Sequence, residues 1–328
     1  MEDIYPILDS LDLPGKKVLA TIIHVVGSAY KKEGSSMLFM ENGEQIGMIS
    51  AGCLEEDLAL RAKEVMETGK NLIVQFDLSD ESDLGWGQGA GCNGMIEISM
   101  ELIDDLLEAH LLKLKHLLHL NIPVLVRKKQ KEYLYIPQIG EPFGQWREPI
   151  NAKFSFVESG IVLKKEIYQH VFHPKPRLII FGGGQDVRPI CSTASRTGFS
   201  VTICDWSETN CNKVNFPDAH QLLIGFPKEI ITKISFTPYD FIVIATHHFQ
   251  KDRDILLNLP FEKMHYIGVL GSKERIKRLI EKNQLPHDIH SPIGLPIGAK
   301  GPEEIAISII AELIKEWHKI NSQKTKHF

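Results

Sequence analysis

Residues 177–187, RLIIFGGGQDV, decide the fold. An apolar run from Leu178 to Phe181 passes straight into Gly182-Gly183-Gly184 and then into residues of helical character. The next strand-like run, SVTICD, ends on Asp205, 21 positions after Gly184. Strand, glycine turn, helix and a second strand closed by an acid are the context of a dinucleotide-binding fingerprint. Gly182 is expected to make the tight turn. Gly184 is expected to let backbone N–H groups and the helix N-terminus approach a phosphate without a Cβ in the way. Asp205 is expected to accept a hydrogen bond from a ribose hydroxyl. Val187 stands where a third glycine often sits, which bears on helix-to-sheet packing and on the ligand's identity. The competing reading is a glycine turn that serves chain geometry alone.

Outward from this turn toward the C-terminus, strands alternate with helices. Residues 221–225, 240–246 and 266–271 read as strands. A helix runs to Thr197, another follows Lys251, and a third runs from Ser272 to about residue 283. The last, EEIAISIIAELIKEW, follows Gly301-Pro302, with proline in its first turn and acidic residues against its positive end. This alternation makes a Rossmann-like doubly wound parallel sheet. His247 and His248 close the run DFIVIAT, and ligands of such sheets bind beyond the carboxyl ends of strands. A ligand contact and a helix cap are the two readings of that pair. With 328 residues, the chain is longer than one hydrophobic core of about 250–300 residues, so two domains are expected, 1–173 and 174–328, parted at His173-Pro174-Lys175-Pro176.

Upstream of that boundary the pattern is mixed α/β. Residues 18–26 read as a buried strand, and 37–40 with 46–49 as a hairpin around Glu41-Asn42-Gly43. A helix with apolar positions Leu54, Leu58, Ala62, Val65 and Met66 is expected to hold Cys53 in its first turn and to stop at Gly69. Then come a strand at 72–76, the glycine-rich stretch GWGQGAGCNG at 85–94 containing Cys92, a strand at 95–99 and a helix over about 102–120. Short strands between 122 and 171 suggest a small β layer completing the domain. A thiol at a helix N-terminus has its thiolate favoured by the dipole, and dense glycine around a thiol suggests backbone closely approaching a ligand. Cys53 and Cys92 are therefore candidate reactive thiols, although a cysteine read alone is more often a small buried hydrophobe. Glu55 and Glu56 offer a hydrogen bond to a bound group or an acidic helix start. His110, His116 and His119, with Lys113 and Lys115, read as a solvated helix face.

Composition narrows the partners. A formal net charge of −5, with 43% hydrophobic and 24% charged residues, describes an ordinary globular chain and gives no reason to expect nucleic acid or an anionic membrane. The first 17 residues carry acids and no apolar core, so they read as neither signal nor transit peptide, and no run reaches transmembrane length. Five cysteines without CxxC spacing fit neither a disulfide framework nor a structural zinc site, which points to a reducing cytoplasm.

Several segments together resemble the XdhC/CoxI family of xanthine dehydrogenase accessory proteins, over nearly the whole chain. They are GSAY (27–30), AGCLE (51–55), GAGCNG (89–94), the glycine turn from Gly182, YIGVLGS (266–272) and PEEIA (302–306). Ala51 and Asn93 stand where the family usually or often has glycine, and Gln185 where it often has histidine; none of these removes a candidate thiol. The resemblance implies a chaperone that binds molybdenum cofactor, as molybdopterin or its dinucleotide form. It implies that the protein supports the cofactor's sulfuration with a cysteine desulfurase and delivers it to apo xanthine dehydrogenase or a related molybdenum hydroxylase. It also implies cofactor contacts at Gly182, Gly183, Gly184, Gln185, Asp205, His247, Gly271 and Ser272, and contacts to molybdenum or its sulfur at Cys53 and Cys92, with Glu55 nearby. A homodimer is expected. The alternatives are an NAD(P)-dependent oxidoreductase built on the C-terminal domain and a thiol-based sulfurtransferase.

Overall fold

The computed structural model describes residues 4–50, 52–77, 93–129, 132–147, 156, 160–162, 167–272, 274–275, 277–279 and 289–323. The chain forms two compact units, Glu2–Pro174 and Lys175–Phe328.

The C-terminal unit is the expected Rossmann-like domain. It holds β11 (Arg177–Phe181), α4 (Val187–Arg196), β12 (Ser200–Asp205), β13 (Gln221–Ile224), α5 (Pro227–Lys233), β14 (Asp240–Ile244), α6 (Phe249–Asn258), β15 (Tyr266–Val269) and α7 (Gly301–Gln323). Its five strands are all parallel, in the order β13-β12-β11-β14-β15. Successive side chains of a strand point to opposite faces, and both faces of this sheet are covered. Leu178 and Ile180 pack with Val187, Ile190 and Ala194 of α4 and with Ile309, Ile310 and Leu313 of α7. Ile179 and Phe181 pack on the other face with Ile230 of α5 and Ile255 and Leu256 of α6. That two-sided burial explains why β11 and β14 read as unbroken apolar runs. At the foot of β11, the Arg177 guanidinium meets the fully buried Asp240 carboxylate through Nε at 2.6 Å, and Thr237 donates its N–H to the same carboxylate at 2.8 Å. Breaking such a buried pair costs about 3–5 kcal/mol.

The N-terminal unit holds α1 (Ile4–Asp9), β1 (Lys17–Ser28), β2 (Ser36–Met40), β3 (Gln45–Gly47), α2 (Glu55–Thr68), β4 (Leu72–Asp77), β5 (Asn93–Leu102), α3 (Asp105–His119), β6 (Val124–Lys129), β7 (Glu132–Pro137), β8 (Phe143–Gln145), β9 (Gly160–Val162) and β10 (Ile167–Phe172). The strands form two antiparallel five-stranded sheets, β3-β2-β1-β5-β4 and β8-β7-β6-β10-β9. The β layer expected over 122–171 is thus a full second sheet. Strand β1 turns Val18, Ala20 and Ile22 toward Leu58, Ala62 and Val65 of α2. Its alternate residues Leu19 and Ile23 join the core built on α1, α3 and the second sheet.

Two helix limits differ from the sequence reading. α3 begins after Asp104, whose carboxylate accepts from the Leu107 N–H at 2.8 Å, because residues to Leu102 pair with β1 as strand β5. α2 begins at Glu55 with Leu54 as its cap, so Cys53 precedes the cap instead of lying in the first turn.

Candidate functional site

The glycine turn is built by strand ends that crowd it. Gly182 has φ +125°, a conformation L side chains rarely adopt, and a Cβ there would lie 2.3 Å from the Ala245 carbonyl oxygen at the end of β14. Its N–H donates to the Cys204 carbonyl on β12 at 2.8 Å. Glycine is therefore required both by geometry and by its neighbours. The next N–H, that of Gly183, donates to Asp205 Oδ2 at 2.7 Å, while Ser207 N–H donates to Oδ1 at 2.8 Å. Asp205 is only 4% exposed. Its carboxylate thus ties the glycine turn to the end of β12, and only its remaining lone pairs are left for a ligand hydroxyl. Among the described residues, the N–H groups of Gly184, Gln185 and Asp186 have no protein acceptor. They stand at the start of the ten-residue helix α4, whose dipole favours an anion there.

Sequence reasoning missed what stands over this turn. Asp186 does not cap α4 with its side chain; its Oδ2 lies 2.7 Å from Nε2 of His247. The strand order reverses direction between β11 and β14, and ligands of such sheets bind at that crevice. The Asp186–His247 pair spans it. His247 holds a left-handed backbone at φ 57°, and His248 takes the cap position of α6. Asp186 Oδ1 would lie 2.5 Å from a Cβ on Gly184, so its carboxylate leans over the turn. A long-range pair between residues 61 positions apart leaves no local sequence signal.

Further along the same edge, the Thr246 hydroxyl donates to Asp252, which also takes a bond from Arg275. Burial pushes the Asp252 carboxyl above its usual range, against the pull of Thr246 and Arg275. Gly271 and Ser272 follow β15, and the Ser272 hydroxyl accepts from the Arg275 N–H at 3.3 Å. Gly182, Gly183, Gly184, Asp205, His247, Gly271 and Ser272 therefore all lie beyond carboxyl ends of one sheet. Gln185 differs: with Arg188, Asp218 and Glu303 it lines a separate open cleft of about 660 Å3 between α4 and the first turn of α7.

In the N-terminal unit, Cys53 is half-buried at the edge of the core around α2. Gly52 beside it has φ +103° and, among the described residues, nothing within 4 Å of a Cβ. Glu55 is committed locally: its carboxylate accepts from Ser50 N–H at 2.7 Å, from the Ser50 hydroxyl and from Leu54 N–H at 3.2 Å. Burial works to raise its pKa, but these donors outweigh it and hold the carboxyl below its usual range. Cys92 lies outside the described residues. Burial pushes Cys191 up to about 12 and Cys204 and Cys211 upward, so these three buried thiols stay protonated at neutral pH. Among the described residues, no group of three or more His, Cys, Asp or Glu side chains could hold a metal ion. Among them, too, no helix is long and apolar enough to cross a membrane.

Known proteins match this architecture along its length. Three family models match: the XdhC Rossmann domain over residues 178–313, the XdhC and CoxI family over 14–77, and the BH1974-like central domain over 105–173. A protein of Bacillus subtilis, named as a probable subunit of xanthine dehydrogenase, is 39% identical over 323 residues, covering 96% of this chain and 98% of that one. The molybdenum cofactor insertion chaperone PaoD of Escherichia coli is 22% identical over 303 residues, 90% of this chain and 82% of its own. The crystal structure of a xanthine dehydrogenase from Bacillus halodurans superposes with a TM-score of 0.89 at 42% identity, covering 97% of this chain and 96% of that one. The similarity runs over both units, and with 39% identity over nearly the whole of both chains to the Bacillus subtilis protein, the chain belongs to the XdhC and CoxI family.

Proposed function

We propose that the protein is a maturation factor that binds molybdenum cofactor, supports its sulfuration with a cysteine desulfurase and delivers it to apo xanthine dehydrogenase or a related molybdenum hydroxylase. One observation carries the reading: the similarity to a named cofactor-insertion chaperone runs through both units and not through the Rossmann-like unit alone. An oxidoreductase reading would rest on that unit only, and fold by itself does not establish chemistry. We also infer a cytoplasmic homodimer.

The residues present fit such a ligand. The N–H groups of Gly184, Gln185 and Asp186, set at the start of α4, suit a phosphate, and Gly184 lets it come close. The Asp186 carboxylate must then swing off the turn, and His247, already paired with it, is placed to take over the anion. Gly271 and Ser272 flank the same strand ends. Cys53, less buried than the other described thiols, suits molybdenum or its sulfur, since soft thiolates favour soft partners. Cys92 is assigned the same role from its glycine-rich sequence setting. When bound, the cofactor would supply the redox-active molybdenum centre used later by the client enzyme. This chain's residues would only hold and shield it.

The test is to purify the full chain from cells producing molybdenum cofactor and to assay bound pterin and molybdenum. Wild type is expected to carry both, Gly184→Val to lose pterin, and Cys53→Ala or Cys92→Ala to lose metal or client sulfuration while remaining folded. Tight stoichiometric NAD binding with no pterin would instead establish the oxidoreductase reading. A persulfide on Cys53 or Cys92 after incubation with desulfurase and cysteine, without cofactor binding, would establish the sulfurtransferase.

A further inference from the structure

The cleft beside α4 carries chemistry that the glycine turn leaves unused. α4 sends Val187, Ile190, Cys191 and Ala194 into the core and lends Arg188 and Ser192, one turn apart, to the lining of the cleft. A second wall comes from the loop between β12 and β13, which supplies Asp218, and a third from the first turn of α7, which supplies Glu303. The loop is set before any ligand arrives: Asn215 Nδ2 donates to the Thr209 and Asn210 carbonyls at 2.9 and 3.0 Å, and Phe216, 1% exposed, anchors it in the core. At about 660 Å3, the cleft falls within the roughly 300–1,000 Å3 of small-molecule sites.

Among the described residues, the side chains of Gln185, Arg188, Asp218 and Glu303 make no hydrogen bond or ion pair, although a guanidinium and two carboxylates share this one concavity. Firm walls keep the opposite charges apart, and a ligand can bridge them only by offering donors and an acceptor side by side. The Cys191 thiol in the floor is held up chiefly by burial and further by the Asp218 carboxylate, so that carboxylate stands over the floor. Gln185 belongs to both places: its N–H is one of those free at the glycine turn, and its side chain lines the cleft. We propose that the cleft seats the pterin ring of the ligand whose phosphate the glycine turn holds. Asp218 accepts from the ring's amino group and the N–H beside it, Arg188 donates to the adjoining carbonyl, and Gln185 joins the ring site to the turn. The proposal rests on the reading of this protein as a cofactor-binding maturation factor and gives the ring end of that ligand a place of its own, outside the strand ends.

Pterin and lumazine are both fluorescent and differ in the amino group, which lumazine replaces by a second carbonyl. Fluorescence titration of the full chain with each, and with guanosine as competitor, tests the cleft. Wild type should bind pterin, and bind lumazine about 10- to 150-fold more weakly because a carbonyl then faces Asp218. Asp218→Asn and Arg188→Ala should each weaken pterin by a factor in the same range, about 10- to 150-fold, with circular dichroism unchanged, since both side chains are exposed. Equal pterin binding by wild type and both variants overturns the proposal, as does guanosine, which carries the same edge on a smaller ring, binding more tightly than pterin. The same variants purified from cells producing molybdenum cofactor give a second readout: each should lose most of the bound pterin that wild type carries. Wild-type pterin content in both variants overturns the cleft and leaves the cofactor reading standing. Absence of pterin from wild type in both measurements overturns the cleft and that reading together.

Discussion

Gly182 and Gly52 each stand beside a candidate binding residue, but they are glycines for different reasons. Gly182 is pressed by its surroundings: a Cβ would meet the Ala245 carbonyl at 2.3 Å. Among the described residues nothing lies within 4 Å of a Cβ on Gly52, which is constrained by its own φ of +103°. The first belongs to a turn welded into a parallel sheet. The second belongs to a loop in front of α2, where backbone shape alone is at stake. A phosphate site needs the rigidity of the former, because its donors must be in place before the ligand arrives. A thiol that must meet a changing partner is better placed on the latter.

The comparison can be broken by substitution. Gly182→Ala combines a backbone clash with a disfavoured φ and is expected to cost about 4 kcal/mol or more in urea unfolding of the C-terminal unit. A loss under about 1 kcal/mol would mean the turn yields as easily as the loop. Next, Asp205→Ala strands the Gly183 and Ser207 N–H groups, each worth about 1–3 kcal/mol when left unpaired, so a loss of about 2–6 kcal/mol is expected by the same measurement. Unchanged stability with lost nucleotide binding would assign Asp205 to the ligand instead of the turn. Gly52→Ala should cost only about 1–2 kcal/mol, the strain of its left-handed backbone, with the circular dichroism of the folded chain unchanged. If it costs more than Asp205→Ala, the loop and not the turn is the rigid element.

The smallest effect is a matter of pH. His265 in the C-terminal unit and His110 in the N-terminal unit are both held below the ordinary imidazole value of 6.5, chiefly by burial. A lowered folded-state pKa means that the unfolded chain binds protons more readily. The corresponding stability is complete above 6.5 and is lost as pH falls toward the folded-state value. His265→Gln should therefore flatten the fall in the urea midpoint of the C-terminal unit between pH about 7 and about 5.5. An unaltered slope would remove burial of His265 as its cause.

What the sequence revealed and what it hid follow one rule of distance along the chain. The glycine turn, the acid at Asp205, the alternating strands and the helix stop at Gly69 are local patterns, and the structure reproduces them. Helix starts were less legible because Leu54 and Asp104 cap where apolar periodicity has already begun. The Glu55 carboxylate offered two readings, and only the folded chain shows it turned back onto Ser50. Asp186 with His247, and Arg188 with Asp218 and Glu303, converge from different elements, so no window of sequence contains them.

The packing of α7 against β11 and α4 has a consequence for the newborn chain. Trp317 and Leu313 complete the same core that Leu178 and Ile180 begin. The 136 residues from Phe181 to Trp317, made at about 5–20 residues per second, take the ribosome about 7–27 s. Throughout that interval the central strand has emerged without its closing helix, while the N-terminal unit already possesses all its parts. The Rossmann-like unit is therefore the late and vulnerable half of biogenesis, and slow synthesis, heat or truncation near residue 300 should send it to aggregation before the N-terminal unit is affected.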